Sequence, residues 1–217
     1  MGAYEKLKQS MLEGNIQEIE QYVREELGRS APWMDILEKD LIPLMDEIGR
    51  EFSNGSIFLP ELMAAGITMS RAVEFIQKSL GDPRIEPKAT MVLGTIYEDV
   101  HDIGKNIVRM NFEIAGFKVI DLGIDVQPER FIKSSRENRA DLVGISALLT
   151  ATMLNLEPAI RKIREENPDV KIMVGGNPVT AQFAEKIGAD GYAPDGYLAV
   201  KRAKELLGLQ GKGTWNK

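Results

Sequence analysis

The residue best suited to chemistry is the only histidine of the chain, His101. It follows the apolar run 91–97 and lies within Asp99-Val100-His101-Asp102-Ile103-Gly104. The chain has no cysteine, so a metal held through nitrogen or sulfur must use this one imidazole. Zinc sites take several His or Cys ligands, which this chain does not supply. A single protein ligand suits a metal whose other positions are already filled, and the pattern therefore indicates a macrocyclic metal cofactor.

The composition is that of an ordinary globular protein and argues against several classes. Hydrophobic residues make up 43% and charged residues 28% of the 217 residues. The net charge of −6 and the interleaving of acids with bases argue against nucleic-acid binding. There is no apolar run of about 18 residues, so we expect no membrane span. The N-terminus does not resemble a signal peptide, and the absence of cysteine favours a cytoplasmic location.

Two hydrophobic rhythms divide the chain into a predicted helical cap domain with its linker, residues 1–87, and a predicted α/β domain, residues 88–217. The first part carries apolar residues at helical spacing, as expected for a four-helix-like unit. A helix is predicted from Pro32 to about Phe52, with Ser30 as its N-cap and a kink or division at Pro43. Residues 83–88 read as a linker and residues 208–217 as a tail that frays.

The second part alternates short apolar runs with amphipathic segments. Predicted strands are residues 90–97, 118–122, 142–146, 171–175 and 191–192, and predicted helices are residues 104–115, 128–138, 151–166, 179–187 and 196–206. Such alternation predicts a doubly wound, flavodoxin- or Rossmann-like sheet of five parallel strands with helices on both faces. Ligands of these folds bind at the carboxyl ends of the strands, where His101 is placed in the loop after the first strand.

Three motifs follow three of the predicted strands. Asp99-x-His101-x-x-Gly104 comes first, Ser146-Ala147-Leu148 follows after 41 residues, and Gly175-Gly176 after a further 26. With Phe58-Leu59-Pro60-Glu61-Leu62-Met63 in the helical part, they resemble the cobalamin-binding module of the methionine-synthase type. Corrinoid proteins of methanol and methylamine methyltransferases and cobalamin-dependent mutases share this signature. The resemblance covers almost the whole chain.

The resemblance implies that cobalamin or a related corrinoid is the cofactor, with His101 as the lower axial cobalt ligand in place of the cofactor's own benzimidazole (base-off, His-on). Asp99 is then the partner of the other ring nitrogen, which fixes the tautomer. Thr152 stands where a Ser commonly extends this relay. When the cobalt becomes four-coordinate Co(I) and the axial bond breaks, the imidazole and carboxylate can take up a proton.

Further cofactor contacts follow from the same resemblance. Gly104, Gly175 and Gly176 would leave room for the nucleotide tail, where a Cβ would collide. The hydroxyls of Ser146 and Thr150 match positions that hydrogen-bond the base of that tail.

Glu98 departs from the pattern, because relatives usually have Gly before the motif Asp. It could alter the conformation of the loop or add an acidic group at the edge of the corrin. Phe58 is expected to shield the upper corrin face, although packing in a core is an equally good reading. The other residues expected at the cofactor are Val100, Asp102, Leu148 and Gly196.

The function implied is that of a methyl carrier in one-carbon metabolism. Cobalt in the Co(I) state accepts a methyl group from a donor-specific methyltransferase. Methyl-Co(III) then passes it to a second methyltransferase, with tetrahydrofolate, coenzyme M or a similar acceptor. No segment resembles a substrate barrel, so both transfers require partner proteins and the chain is not a catalyst by itself. The cap is expected to protect the methyl group, and a reductive activase to restore oxidised cobalt. Neither a nucleic acid nor a membrane is expected as a partner.

Three other functions are compatible with parts of this pattern. A cobalamin-dependent sensor would carry a DNA-binding segment, for which the chain lacks length and basic charge. The small subunit of a radical mutase usually lacks the helical cap. A receiver domain would need a phosphoacceptor Asp after the third strand, where this chain has Gly144-Ile145-Ser146. Taken alone, Asp99 and His101 could also be a helix cap and an ordinary loop histidine.

Overall fold

A computed structural model describes residues 3–80 and 87–209, which belong to two separate compact units. Most of the predicted linker at residues 83–88 and of the predicted tail at 208–217 lies outside the described residues. The predicted domain boundary between residues 87 and 88 therefore stays a prediction.

The first unit consists of helices. They are α1 (Ala3–Leu12), α2 (Ile16–Gly28), the short turn α3 (Trp33–Asp35), a π-helical segment (Ile36–Leu41), α4 (Ile42–Ser53) and α5 (Leu59–Ser79). Helical backbone runs without a break over residues 33–53, so the helix predicted from Pro32 is not divided at Pro43; instead a π-helical segment ends shortly before this residue. Proline has no N–H and its ring crowds the preceding turn, so the wider π-helical turn accommodates Pro43 inside this helical run. The prediction of Ser30 as N-cap is wrong: Pro32 directly precedes α3, and Ser30 has a φ of 62°.

Most large apolar side chains of the first unit are buried, but three exposed ones lie directly before α5 or in its first half. Phe58, directly before α5, is 73% exposed, and Met63 and Ile67 within it are 45% and 54% exposed. The unit is also acidic, with 14 Asp and Glu against 8 Lys and Arg in residues 3–80. Residues 87–209 carry 17 and 16 of these groups. The excess negative charge of the described chain therefore lies mainly on the helical unit.

The second unit is a five-stranded parallel sheet with helices, which confirms the predicted α/β class. Its strands are β1 (Thr90–Thr95), β2 (Lys118–Asp121), β3 (Leu142–Ser146), β4 (Lys171–Gly175) and β5 (Gly191–Tyr192). Its helices are α6 (Ile103–Ile114), α7 (Pro128–Glu137), α8 (Thr150–Met153), α9 (Leu156–Glu166), α10 (Ala181–Lys186) and α11 (Gly196–Leu206). The strand order is β2-β1-β3-β4-β5, so the winding reverses between β1 and β3.

Both faces of the sheet are buried, as the continuous apolar runs predicted. Val92 of β1 belongs to one core cluster, which includes residues of α7, α9 and α10. Met91 and Leu93 belong to the other cluster, with residues of α6 and α11. This alternation follows from the period of two along a strand. The strand order places the carboxyl end of β1 at the reversal of the winding, and the His101 loop begins there.

The single helix predicted over residues 151–166 is wrong in its continuity. Helices α8 and α9 are separated at Leu154 and Asn155. The Asn155 amide donates a hydrogen bond to the Tyr97 carbonyl, 3.2 Å away, a contact between distant parts of the chain that a local pattern does not reveal.

Within residues 3–80 and 87–209, no helix combines the length and the apolar character needed to span a bilayer.

Candidate functional site

The carboxylate of Asp99 is the centre of the loop after β1. Its side chain is fully buried. Oδ1 accepts hydrogen bonds from the His101 backbone N–H at 3.1 Å and from the His101 ring Nδ1 at 2.7 Å. Oδ2 accepts from the Leu148 N–H at 2.7 Å and from the Thr152 hydroxyl at 2.6 Å. The structure thus brings together the predicted relay of His101, Asp99 and Thr152.

These hydrogen bonds decide the charge of Asp99. Burial by itself would raise the pKa of its carboxyl, because a charge loses solvation in the interior. The donors from Thr152, Leu148 and His101 outweigh burial and hold the pKa of Asp99 well below its ordinary value. Asp99 is therefore a carboxylate at neutral pH.

An ionised Asp99 also fixes the tautomer of His101. A carboxylate can only accept a hydrogen bond, so the proton between the two groups belongs to Nδ1. The lone pair of the neutral ring is then on Nε2. Within residues 87–209 no group hydrogen-bonds Nε2, and the His101 side chain is 44% exposed. The loop therefore presents one oriented imidazole nitrogen that can bind a metal.

Two further side chains hold this loop in place, and the sequence reasoning missed both. The hydroxyl of Thr95, the last residue of β1, is buried and donates to the His101 carbonyl at 2.9 Å. Asn155 donates to the Tyr97 carbonyl and, at 3.3 Å, to a carboxylate oxygen of Glu98. Thr95 could have been identified from the sequence, because it is a hydroxyl residue at the end of an apolar strand. Asn155 offered none, because its partners lie more than 50 residues away in sequence.

An exposed apolar surface surrounds this loop. The exposed large hydrophobic side chains of residues 87–209 all belong to segments at the carboxyl edge of the sheet: Val100, Ile103, Ile124, Leu148, Leu149 and Leu154. Val100 and Ile103 flank His101 in sequence and are 67% and 73% exposed. Solvated apolar side chains concentrated in one place usually mark a binding surface. The predicted cofactor residues Val100 and Leu148 belong to this surface.

Two of the predicted cofactor glycines pack closely against other atoms of the protein. Gly176 has a φ of 117°, and a Cβ there would lie 1.9 Å from the Ala147 carbonyl oxygen. Gly196 begins α11, and a Cβ there would lie 2.8 Å from the side-chain nitrogen of Asn111. Internal packing alone explains Gly176, where the close atoms belong to the backbone, whereas at Gly196 the Asn111 amide would have to shift.

Gly104 and Gly175 are different. A Cβ on Gly104 would meet no atom within 4 Å, and one on Gly175 would meet only the Ala193 carbonyl oxygen, at an ordinary 3.6 Å. The protein does not need glycine at these positions for its own packing. They fit the close approach of a ligand to the backbone.

The remaining predicted site residues lie at the same edge of the sheet, apart from Phe58, which belongs to the first unit. Ser146 is partly exposed at the end of β3, and Thr150 is exposed at the start of α8. Asp102 directly precedes α6, and its carboxylate accepts from the Asn106 amide at 3.1 Å. Glu98 has a φ of 66°, a conformation that glycine adopts without strain.

A buried ion pair follows Gly104 in the sequence, and we assign it a role in the stability of the fold. The Lys105 ammonium, nearly inaccessible, donates to both carboxylate oxygens of Asp121 at 2.8 and 2.6 Å. Burial raises the pKa of Asp121, but hydrogen bonds from Lys105 and the Gly123 N–H, together with the charges of Lys105 and Arg109, lower it overall. This pair fixes α6 to the end of β2.

Comparison with known proteins decides the family. Residues 89–201 match the family described as a B12 binding domain, and residues 3–77 match a second family with the same description. The chain belongs to the B12-binding corrinoid proteins. A corrinoid protein of Desulfitobacterium hafniense is 34% identical over 96% of this chain and 99% of its own length. Dimethylamine corrinoid protein 3 of Methanosarcina acetivorans is 41% identical over 84% of this chain and 87% of its own length.

The solved structures agree with this assignment. A cobalamin-binding protein from Desulfitobacterium hafniense superposes with a TM-score of 0.78 at 27% identity and covers 94% of this chain and 98% of its own. The cofactor of this corrinoid protein is thus a cobalamin or a related corrinoid, as predicted.

The residues described above fit that group. Corrin fills four equatorial positions of cobalt, so one imidazole nitrogen is enough from the protein. The His101 side chain is 44% exposed and oriented by Asp99, its sequence neighbours Val100 and Ile103 are exposed apolar residues, and a Cβ on Gly104 would meet open space.

Proposed function

We propose that this corrinoid protein is a methyl carrier that takes a methyl group from a donor-specific methyltransferase and delivers it to a second methyltransferase. The 2.7 Å hydrogen bond between Asp99 and the ring of His101 carries the proposal, because it fixes one imidazole nitrogen for a metal. When bound, the corrinoid supplies a cobalt centre that accepts a methyl group from a donor and gives it up to an acceptor. His101 would hold the cobalt through Nε2.

The site also offers a defined place for a proton. Nδ1–H is committed to Asp99, so Nε2 is the ring atom at which either a metal or a proton binds. With Nδ1–H held by the Asp99 carboxylate, the neutral ring keeps its lone pair on Nε2 for a metal. The Thr152 hydroxyl and Leu148 N–H help to keep that carboxylate ionised. The four groups thus hold Nε2 in place to bind a metal.

Partner enzymes must supply the substrates. Within residues 3–80 and 87–209 no group of three or more His, Cys, Asp or Glu side chains could hold a metal, and we place no catalytic residue on this chain. Methylated amines are the donors to test first, because the dimethylamine relative matches over 84% of this chain. The predicted acceptor methyltransferase and reductive activase belong to the same proposal, as does the predicted cover of the cofactor by Phe58.

The experiment is methyl transfer between purified components. The protein is loaded with cobalamin, reduced and mixed with methyltransferases for methylamines or methanol and their isotopically labelled substrates. We expect labelled methyl to appear on the bound corrinoid with a matching enzyme, and to move on when an acceptor methyltransferase is added. Absence of labelling with every donor enzyme would contradict the proposal. So would a change of oligomeric state on illumination of the adenosylcobalamin form, which would favour the sensor alternative.

A further inference from the structure

Two residues with side chains adopt the left-handed conformation next to Asp99. Glu98, directly before it, has a φ of 66°, and Asp125, in the loop between β2 and α7, has a φ of 52°. This conformation is unfavourable for residues with a Cβ, although Asp tolerates it better than Glu does. Strain of this kind persists only where the surroundings enforce it, and it often accompanies functional sites.

Two hydrogen bonds connect Asp125 to the segment of Glu98 and Asp99. The Glu98 N–H donates to the Asp125 carboxylate at 2.8 Å, and the Asp125 N–H donates to the Asp99 carbonyl at 3.0 Å. We call these two hydrogen bonds the Asp125 clamp. They fix the peptide segment of Glu98 and Asp99 at its first N–H and at its last C=O. Asn155 adds a third contact through the side chain of Glu98.

The clamp determines where the Asp99 carboxylate lies. Oδ1 of Asp99 must be placed 2.7 Å from Nδ1 of His101, and Oδ2 must reach the Leu148 N–H and the Thr152 hydroxyl. Rotation of the backbone at Glu98 out of the left-handed region would move all three contacts together. Relaxation of Glu98 therefore competes directly with orientation of the imidazole.

We propose that Asp125 is a positioning residue for His101, acting through Glu98 and Asp99. It stabilises the left-handed conformation of Glu98 and so holds His101 as the Nδ1–H tautomer with Nε2 available. The inference rests on the proposed role of His101 as the cobalt ligand, which gives the clamp its purpose.

Two substitutions at Asp125 separate its hydrogen bond from its backbone conformation. Asp125→Gly removes the acceptor but adopts positive φ without strain. Asp125→Asn keeps an acceptor oxygen and the tolerance for this conformation. The backbone N–H that donates to Asp99 remains in both variants. A difference between them therefore reports the acceptor for the Glu98 N–H.

A second site tests the reason for the clamp. Glu98→Gly removes the strain that the clamp opposes, so it should suppress the effect of Asp125→Gly in the double variant. Asp141→Ala is the matched control, because its carboxylate also accepts a backbone N–H of β1, that of Thr90 at 2.8 Å, at the opposite end of the strand.

The readout is the ring of His101 in the protein without cofactor. Untagged protein grown with nitrogen-15 histidine is labelled only at residue 101, since the chain has one histidine. NMR chemical shifts of the ring nitrogens give the ratio of the two neutral tautomers. We expect Nδ1–H to dominate in the native protein and in the Asp125→Asn and Asp141→Ala variants. Asp125→Gly should lower the ratio about fivefold, and Glu98→Gly should restore it.

The outcomes are distinct. Equal tautomer ratios in Asp125→Gly and the native protein, or equal losses in Asp125→Gly and Asp125→Asn, would overturn the proposal. A double variant no better than Asp125→Gly would overturn it as well. The cobalamin-loaded proteins are then compared by electron paramagnetic resonance for nitrogen coordinated to cobalt. If the native protein shows no histidine nitrogen bound to cobalt, the ligand assignment under the proposed function fails. The tautomer ratios still test the clamp independently of that result.

Discussion

The two edges of the sheet use aspartate in the same way and to different ends. At the amino edge, Asp141 accepts the Thr90 N–H at the start of β1, and Asp190 accepts the Ile172 N–H in β4 together with an ion pair from Arg164. These contacts tie strands and helices together. At the carboxyl edge, Asp99 accepts backbone and hydroxyl hydrogens as well, but it also holds an exposed imidazole.

The difference shows what converts a structural carboxylate into part of a site. Asp190 is partly exposed and is neutralised by Arg164. Asp99 is fully buried and has only neutral donors and one ring nitrogen, so its charge is available to the imidazole. Left-handed Glu98 and Asp125 and the exposed apolar side chains are found at the same edge. We therefore expect substitutions at Asp99 and His101 to change cofactor binding and those at Asp141 and Asp190 to change stability alone.

The largest effect is expected for His101→Ala. The chain has no second imidazole and no thiolate to replace it, so histidine coordination should be lost completely. The absorbance spectrum of the cobalamin-loaded variant should lack the base-off, His-on form. Asp141→Ala, at the other edge, should keep the native spectrum. An unchanged spectrum in His101→Ala would refute the ligand assignment.

Asp121→Asn should cause the largest loss of stability. It leaves the Lys105 ammonium buried without its countercharge, which typically costs about 3 kcal/mol of unfolding free energy. The pKa of Asp121 is lowered in the folded state, so its contribution is complete above the ordinary carboxyl pKa of about 4 and disappears as the pH falls below it. Urea unfolding of the cofactor-free protein between pH 7 and 3 measures both effects. A variant that matches the native protein at pH 7 would contradict this account.

A smaller and more selective effect is expected for Gly104→Ala. Its Cβ meets no protein atom within 4 Å, so the melting temperature of the cofactor-free protein should change little. The affinity for cobalamin should fall about tenfold, the equivalent of about 1.4 kcal/mol, because the methyl group occupies space proposed for the cofactor. Gly176→Ala is the counterpart and should destabilise the fold itself. Equal stability losses in both variants would remove the distinction drawn between these glycines.

Thr152 offers a graded test of the relay. Thr152→Val removes the hydroxyl that donates to Asp99 at 2.6 Å and nearly preserves the volume, while Thr152→Ser keeps the hydroxyl. The Leu148 N–H still supports the same oxygen, so we expect only about a fivefold loss of the Nδ1–H tautomer of His101 in Thr152→Val. The serine variant should behave like the native protein. Equal tautomer ratios in the valine and serine variants would exclude the hydroxyl from the relay.

The smallest effect is expected at the amino edge. Asp141→Ala should lower the unfolding free energy by about 1 kcal/mol, the usual contribution of one hydrogen bond, without moving the His101 ring signals. Thermal unfolding and the histidine NMR spectrum measure the two quantities. A shift of the ring signals would show that the two edges are coupled.

The sequence predicted the fold well where its signal was local. The bounds of β3, β4, β5 and α11 were predicted without error, because short apolar runs and amphipathic segments are interrupted by glycine, proline or charged residues. The break between α8 and α9 was missed because it coincides with the contact of Asn155 with Tyr97. Position in sequence gives no indication of such a partner.

The same distinction between local and distant contacts applies to the candidate site. The Asp99, His101 and Thr152 contacts were predicted from the resemblance of their motifs, and the structure shows hydrogen bonds among them. The Asp125 clamp could not be predicted from the sequence, because Asp125 accepts the backbone N–H of Glu98, 27 residues away. The sequence shows that Glu98 stands where glycine is expected, but only its φ of 66° shows why glycine suits that position.

The most direct test of the central claim uses the single histidine once more. Native protein with nitrogen-14 or nitrogen-15 histidine is loaded with cobalamin, reduced to the paramagnetic Co(II) state and measured by electron paramagnetic resonance. If Nε2 of His101 binds the cobalt, labelling converts the nitrogen splitting of the cobalt lines from a triplet to a doublet. A triplet that survives labelling would show that the benzimidazole of the cofactor is still coordinated, and would contradict the account.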